Sequence, residues 1–236
     1  MGVALGAGIA VSTYSGPAYA ASPYAPGATG YDISWPQCGL PYPELAGGRL
    51  AIVGVTGGRP FTPNRCLRSE YLWAAAGGER PSLYVNLAYG VSARGPLHCA
   101  ADNDRCRSYN YGYLAAQYAY TYAYLNSLGR TAYTPAWWLD VETANSWSSD
   151  TGLNAAVVRG AIDYLHTMHG ALVGVYSTPD EWQEIAGGLS PPGMPNWVPG
   201  AEGPNDVLKC LSPIWPGGQV WLIQWLIGDY DQIRAC

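Results

Sequence analysis

Asp140 and Glu142 are the two residues best suited, by type and spacing, to acid chemistry. They lie in Ala136-Trp137-Trp138-Leu139-Asp140-Val141-Glu142-Thr143, a run otherwise apolar enough to be a buried β-strand. Side chains alternate across a strand, so both carboxylates project from one face with Cα atoms about 6.6 Å apart. Two acids so placed repel each other and lose hydration. That raises at least one pKa toward the range a general acid needs near neutrality. A structural reading competes: a carboxylate pair at a strand end that caps the next loop or meets an arginine. Perturbed acids cluster at functional sites, but ion pairs imitate them.

Such a pair needs a frame that brings other polar groups to it. Apolar, strand-like runs recur at 30–35, 50–56, 82–89, 136–143, 171–177, 196–200 and 219–226, with a short one near 230–235. Helical candidates fall between them at 66–77, 111–128, 154–168 and 180–186. Gly129 and Gly170 are placed to end two of these helices, and Pro179-Asp180-Glu181 to start the last. Repeated strand–helix units with near-continuous apolar strands predict a parallel sheet covered by helices. About eight strands in a chain this short favour a compact, irregular (β/α) TIM-like barrel of the α/β class. Chemistry in such barrels sits at the C-terminal strand ends. Asp32, Ser34, Asn86, Asp140, Glu142, Tyr176, Ser177, Gln224 and Trp225 fall there, and Asp229 and Asp231 open the last strand. Trp138 shares the face of the two central acids and is expected at the same mouth.

Bulk properties narrow the classes. The 236 residues are 48% hydrophobic and 12% charged, so a sizeable core is possible and disorder is not expected. A formal net charge of −5 without any basic run argues against nucleic acid as a partner. No stretch is apolar for long enough to cross a bilayer. Residues 1–20 read as a secretory signal, with an apolar stretch from Val3 to Val11 and Ala18-Tyr19-Ala20 before a cleavage point. The basic opening of such a signal is missing, so either the start lies further upstream, the preferred reading, or the segment is only an apolar tail. Residues 21–29 read as a flexible lead-in, and 30–236 as a single domain, secreted and monomeric.

Six cysteines after an export signal suggest a disulfide framework. They allow fifteen connectivities. Local closure would pair Cys38 with Cys66, Cys99 with Cys106, and Cys210 with Cys236. A zinc site is the rival, but no CxxC pair occurs and the three histidines are not grouped with cysteines. Asp102-Asn103-Asp104 lacks the twelfth-position glutamate of an EF-hand loop, so neither a metal nor a cofactor is expected.

With these residues in view, the chain resembles family 25 glycoside hydrolases, the lysozyme-like muramidases. Gly30-Tyr31-Asp32-Ile33-Ser34-Trp35 is similar to their opening strand, and Val53-Gly54-Val55-Thr56-Gly57-Gly58 followed by Asn64 to their second. Leu139-Asp140-Val141-Glu142 matches the central acidic motif. Val175-Tyr176-Ser177, Ile223-Gln224-Trp225 and Asp231 resemble later elements, in order over 30–236. The resemblance implies a flattened β/α barrel that cuts the β-1,4 bond after N-acetylmuramic acid in peptidoglycan. By position Glu142 would be the general acid. Asp140 would orient or polarise the 2-acetamido group, or stabilise charge at the anomeric carbon. Asp32 and Asp231 would tune both, and Tyr176 would bond the reacting sugar. Asn86, Trp138, Gln224, Trp225 and Ser34 would line the substrate site. The third strand, Leu83-Tyr84-Val85-Asn86-Leu87-Ala88, lacks the family's Tyr-His-Phe-like element, and Trp225 replaces a usual tyrosine.

Three other readings compete with this one. A family 18 chitinase-like barrel also ends a strand in Asp-x-Glu, but Trp138 and Pro135 stand where its further aspartates belong. A glycan-binding barrel without turnover remains a different class, because fold does not fix function. Ser34 and Ser177 have no base partner for a serine hydrolase. Tyr111, Tyr118 and Tyr122 share one helix side and read as packing residues rather than sugar platforms.

Overall fold

The computed structural model describes residues 20–45 and 49–236. The signal-like segment therefore lies, but for Ala20, outside the described residues. The chain forms a closed eight-stranded barrel whose strands neighbour one another in sequence order. The strands are β1 (Thr29–Ile33), β2 (Leu50–Gly54), β3 (Ser82–Asn86), β4 (Trp137–Asp140), β5 (Val173–Tyr176), β6 (Pro195–Val198), β7 (Gln219–Ile227) and β8 (Tyr230–Ala235). The helices are α1 (Leu67–Ala76), α2 (Asp104–Asn126), α3 (Thr151–His169) and α4 (Pro179–Ala186). The barrel and the interleaved helices match the fold expected from the strand pattern.

One departure decides the site. β1 to β7 are parallel, but β8 runs antiparallel to both β7 and β1, closing the barrel through a hairpin. In a parallel barrel the start of β8 would lie at the floor. Reversal brings Asp231 beside Asp32, its register partner, at the mouth. No helix fits between β7 and β8, and only a short 3₁₀ turn at Lys209–Leu211 lies between β6 and β7.

Alternation along each strand makes two apolar layers. Val53, Val85, Trp137, Leu139 and Val175 face outward onto the helices. There α2 and α3 pack over β4, and Tyr120 stacks on Trp137 at 5.9 Å. Ile52, Trp138, Trp197, Leu222 and Ile233 face inward and fill the barrel. The segment 21–29, expected to be a flexible lead-in, contributes to that filling. Tyr24 is buried, donates or accepts a 2.6 Å hydrogen bond with Ser82, and accepts one from Trp138 Nε1 at 3.1 Å. Its ring supplies the floor that small side chains could not.

Two glycines make room for the large inward rings. A Cβ on Gly54 would come within 2.6 Å of the Tyr84 ring, and one on Gly174 within 2.3 Å of Trp138. Strand positions with no side chain let a neighbouring aromatic lie across them.

The helices start and stop for local reasons. α2 begins seven residues before its expected start, because the Asn103 side chain caps it by accepting from Cys106 N at 3.0 Å. Its polar first turns carry no apolar periodicity and so left no signal. α3 is capped by Asp150 and ends at Gly170 in the left-handed conformation. α4 opens with Thr178 as N-cap, Pro179 in the first turn and Glu181 closing the cap. All three disulfides pair as local closure predicts: Cys38–Cys66, Cys99–Cys106 and Cys210–Cys236.

Glu70, on α1, is a buried acid outside the mouth. It accepts from Asn64 Nδ2 at 2.6 Å, an amide that also donates to Gly54 O at the end of β2. Burial outweighs that bond and pushes its pKa up to about 7. The folded state then holds the proton that the unfolded chain releases near pH 4.5, so stability falls as pH rises from there through 7. Glu70→Gln is expected to change stability little at pH 5 and to raise it by about 2 kcal/mol at pH 8. Urea unfolding at the two pH values checks this; equal changes at both would show that the proton is not involved.

Candidate active site

A cavity of about 710 Å³ opens at the C-terminal ends of the parallel strands. Asp32 from β1, Asn86 from β3, Asp140 from β4, Tyr176 from β5, Gln224 from β7 and Asp231 from β8 all line it, with Glu142 from the loop after β4. β4 stops at Asp140 because its ladder to β5 ends there, with Val141 N donating to Tyr176 O at 3.0 Å. The alternation nevertheless carries one step further, so Glu142 enters the cavity as Asp140 does. Its backbone carbonyl accepts from Trp147 Nε1 at 2.9 Å, which fixes the turn that bears it.

The acids differ in how deep they lie. Asp32 and Asp140 are buried, while Glu142 is partly exposed. Asn86 Nδ2 donates to Asp140, and Gln224 Nε2 donates to Asp32 at 3.0 Å. Thr56 Oγ1 donates to Asn86 Oδ1 at 2.8 Å and so orients the Asn86 amide. Asp32 and Asp140 each keep one buried oxygen without a protein partner. Two amides expected to meet substrate are thus committed to holding carboxylates.

Burial pushes Asp32 well above the ordinary carboxylate range, and the charges of Asp231, Asp140, Glu142 and Glu70 add to it. Asp140 is raised by burial and by Glu142 and Glu181, against the Asn86 hydrogen bond. Glu142 is raised by burial, then by Glu181 and Asp231. Asp231 is raised by burial. Burial and the same acids keep the Tyr84 and Tyr176 phenols protonated, so both are available as donors. Burial and crowding in one cup favour the protonated form of all four carboxyls relative to free carboxylates.

Glu181 stands behind this cup as a fixed charge. Its Oε1 accepts from Thr143 N at 2.9 Å and from Thr143 Oγ1 at 2.8 Å, and its Oε2 accepts from Thr178 at 3.0 Å. Burial raises it, but these hydrogen bonds outweigh burial and leave it below the ordinary range. It therefore stays ionised beside Glu142 and pins the residue that follows it.

Not every expected residue reaches the mouth. Ser34 lines it, next to Tyr84. Trp138 does not: it has the right face, but sits one strand step deeper, under Trp197 and bonded to Tyr24. Trp225 does not either. Gln224 points inward, so alternation turns Trp225 outward among the core residues under the helices. Lining residues that were not expected at the site include Trp35, Arg59, Tyr84 and Trp197. Tyr84 was open to inference, being two positions before Asn86 on the same face. Trp197 follows a register shift in β6 that no motif announces.

Comparisons place the architecture among known proteins. A family model described as lysozyme-like protein 1 matches residues 106–197, a span containing Asp140, Glu142 and Tyr176. A 60-residue stretch is 40% identical to counting factor 45-1 of Dictyostelium discoideum, covering 25% of this chain; the match spans a fifth of that protein's length. Among solved structures, the bacterial lysozyme of Streptomyces coelicolor is similar over 89% of this chain and 92% of its own, with a TM-score of 0.57 and 18% identity. A muramidase from Trichobolus zukalii gives 0.59 and 17% over 89% and 93%. A family GH25 lysozyme from Aspergillus fumigatus gives 0.59 and 14% over 89% and 94%. At these identities the likeness is one of fold.

Proposed function

We propose that this chain, a divergent relative in fold of the family 25 lysozymes, is a secreted glycoside hydrolase that cuts β-1,4 bonds of an N-acetylated cell-wall glycan of the peptidoglycan type. The observation that carries the reading is the cup itself: a partly exposed Glu142 with a raised pKa, facing three buried or half-buried acids across one open cavity. Glu142 gives its proton to the glycosidic oxygen as the bond from that oxygen to the anomeric carbon breaks. Asp140 orients or polarises the 2-acetamido group, or stabilises the positive charge left at that carbon. Water then completes the sugar, and its proton returns to Glu142. Asp32 and Asp231 keep the local potential negative, and Tyr176 and Tyr84 donate to the sugar. Three disulfides support an oxidising, extracellular setting. Among the described residues no helix is long and apolar enough to cross a membrane.

Purified peptidoglycan incubated with the protein is expected to yield fragments ending in reducing N-acetylmuramic acid, read by mass spectrometry. Absence of new reducing ends, or ends that are N-acetylglucosamine, would overturn the assignment.

The pH profile gives an independent check. The groups interacting with Glu142 are Asp140, Asp32, Asp231, Tyr176 and, behind the loop, Glu181, while Arg59 lines the same cavity. Glu181 holds the Glu142 proton on as pH rises. Glu181→Gln is therefore expected to move the alkaline limb of kcat/KM to lower pH, so the loss is larger at pH 8 than at pH 5. A uniform loss across pH would mean that Glu181 only holds the loop.

A further inference from the structure

The cavity sets one cation against its four acids. Arg59 is the only basic residue among the described residues that line it. An anionic ligand entering such a field is repelled unless a positive charge meets it. Its guanidinium offers a planar fork of N–H donors, and it makes no ion pair among the described residues, where the one pair is Arg107 with Asp104.

The loop that carries Arg59 is closed and anchored. Gly57 N donates to Thr62 O at 3.0 Å, Thr62 Oγ1 donates to Arg59 O at 2.6 Å, and Thr56 bridges Pro63. Phe61 adopts φ 60°, a left-handed conformation that is costly for a residue with a side chain. Its ring packs edge-on against Tyr111 at 5.2 Å and Tyr118 at 5.8 Å, contacts that compensate the strain and tie the loop to α2. Those tyrosines serve packing, as their helical spacing suggests. On the cavity side Gly58 rests on Trp35, so closely that a Cβ would meet the indole nitrogen at 2.9 Å. Trp35 lines the same cavity and is 50% exposed. A large ring left half open beside an unpaired arginine offers an apolar face and a charge together.

We propose that Arg59, with Trp35 beside it, is a specificity-determining pair, the guanidinium receiving a carboxylate of the substrate and the indole packing on the ring that bears it. The proposal rests on the hydrolase reading above and assigns these two residues a part in it. The carboxylate has two possible sources, a lactyl ether on the sugar or a peptide attached through it. Either would meet the guanidinium in a charge-assisted, two-pronged hydrogen bond.

The test compares wild type, Arg59→Ala and Arg59→Lys on three substrates. These are peptide-free oligomers with free lactyl carboxylates, the same backbone carrying peptides, and neutral chitooligosaccharides. Arg59→Ala is expected to lower the ratio of kcat/KM for carboxylated over neutral substrate about tenfold, mainly through KM, and Arg59→Lys to recover most of it. Equilibrium binding in a Glu142→Gln background measures the same ratio without turnover. A loss on peptide-free oligomers assigns the lactyl group, and a loss confined to the peptide-bearing ones assigns the peptide; each upholds the subsite. An unchanged ratio, or equal losses on all three, overturns it and leaves the hydrolase reading standing. A wild type that neither binds nor cuts any of them ends both.

Discussion

Glu142→Gln is expected to lower kcat on peptidoglycan by about 10³-fold with little change in substrate binding. The amide keeps the shape of the side chain and cannot supply a proton. General acid catalysis contributes on the order of 10²–10⁴-fold, so removing it should cost a rate of that size. Glu142 suits the role better than its neighbours because it is partly exposed, beyond the last ladder bond of β4, where a leaving oxygen could reach it. Its backbone is held from two sides, by Trp147 on its own carbonyl and by Glu181 on Thr143. Reducing-end release from parent and variant decides the matter. A variant that kept more than a tenth of the parental rate would remove Glu142 from the acid role.

Asp140→Asn is expected to separate activity from stability. Activity should fall about 10²-fold or more, because a fixed negative group aimed at developing positive charge is lost. Stability should move the other way. Asp140 is buried, faces Glu142, and has one oxygen without a protein partner. Its folded pKa lies above its unfolded one, so stability is highest below the unfolded value and is lost as pH rises through the folded value. Asparagine carries no such charge and can still accept from Asn86. At pH 7 the variant should therefore melt a few degrees higher, about 2–4 °C for each kcal/mol in a chain of this size. The gap should close toward pH 4. Thermal melts across that range test it, and a variant less stable at pH 7 would show that the carboxylate is structurally required.

Much of the frame was legible from local pattern. All eight strand runs correspond to barrel strands, because apolar runs bounded by turns leave little alternative in a chain with so few charges. Gly170 at the end of α3 and Pro179-Asp180-Glu181 at the start of α4 follow from capping chemistry contained within a few residues. The start of α2 was missed because Asn103 caps a turn whose face is polar and tyrosine-rich. The disulfides followed from proximity along the chain, which the fold preserves.

The roles of single side chains were less legible, and the errors share a cause. Trp225 was placed beside Gln224 at the mouth, yet neighbours on a strand cannot face the same way. Trp138 was correctly assigned to the inward face, but sequence parity carries no depth, and Trp197 from another strand covers it. Asn86 and Gln224 line the mouth as expected, and each also holds a carboxylate there. The pairing of β3 with β4 sets Asn86 beside Asp140, and closure of the barrel brings Gln224 to Asp32.

By itself, the order of residues determined that Asp140 and Glu142 share a face, that eight apolar strand runs recur with helices between several of them, and which cysteines lie near one another along the chain. Those properties depend on periodicity and short separations. The barrel's closure decided the rest: β8 turned back beside β1, setting Asp231 against Asp32 across about two hundred residues of chain. That contact exists only because the last strand runs antiparallel, and a loop pinned by Phe61 added Arg59 to the rim. Electrostatics between such groups follows distance in space, and separation along a chain does not encode it.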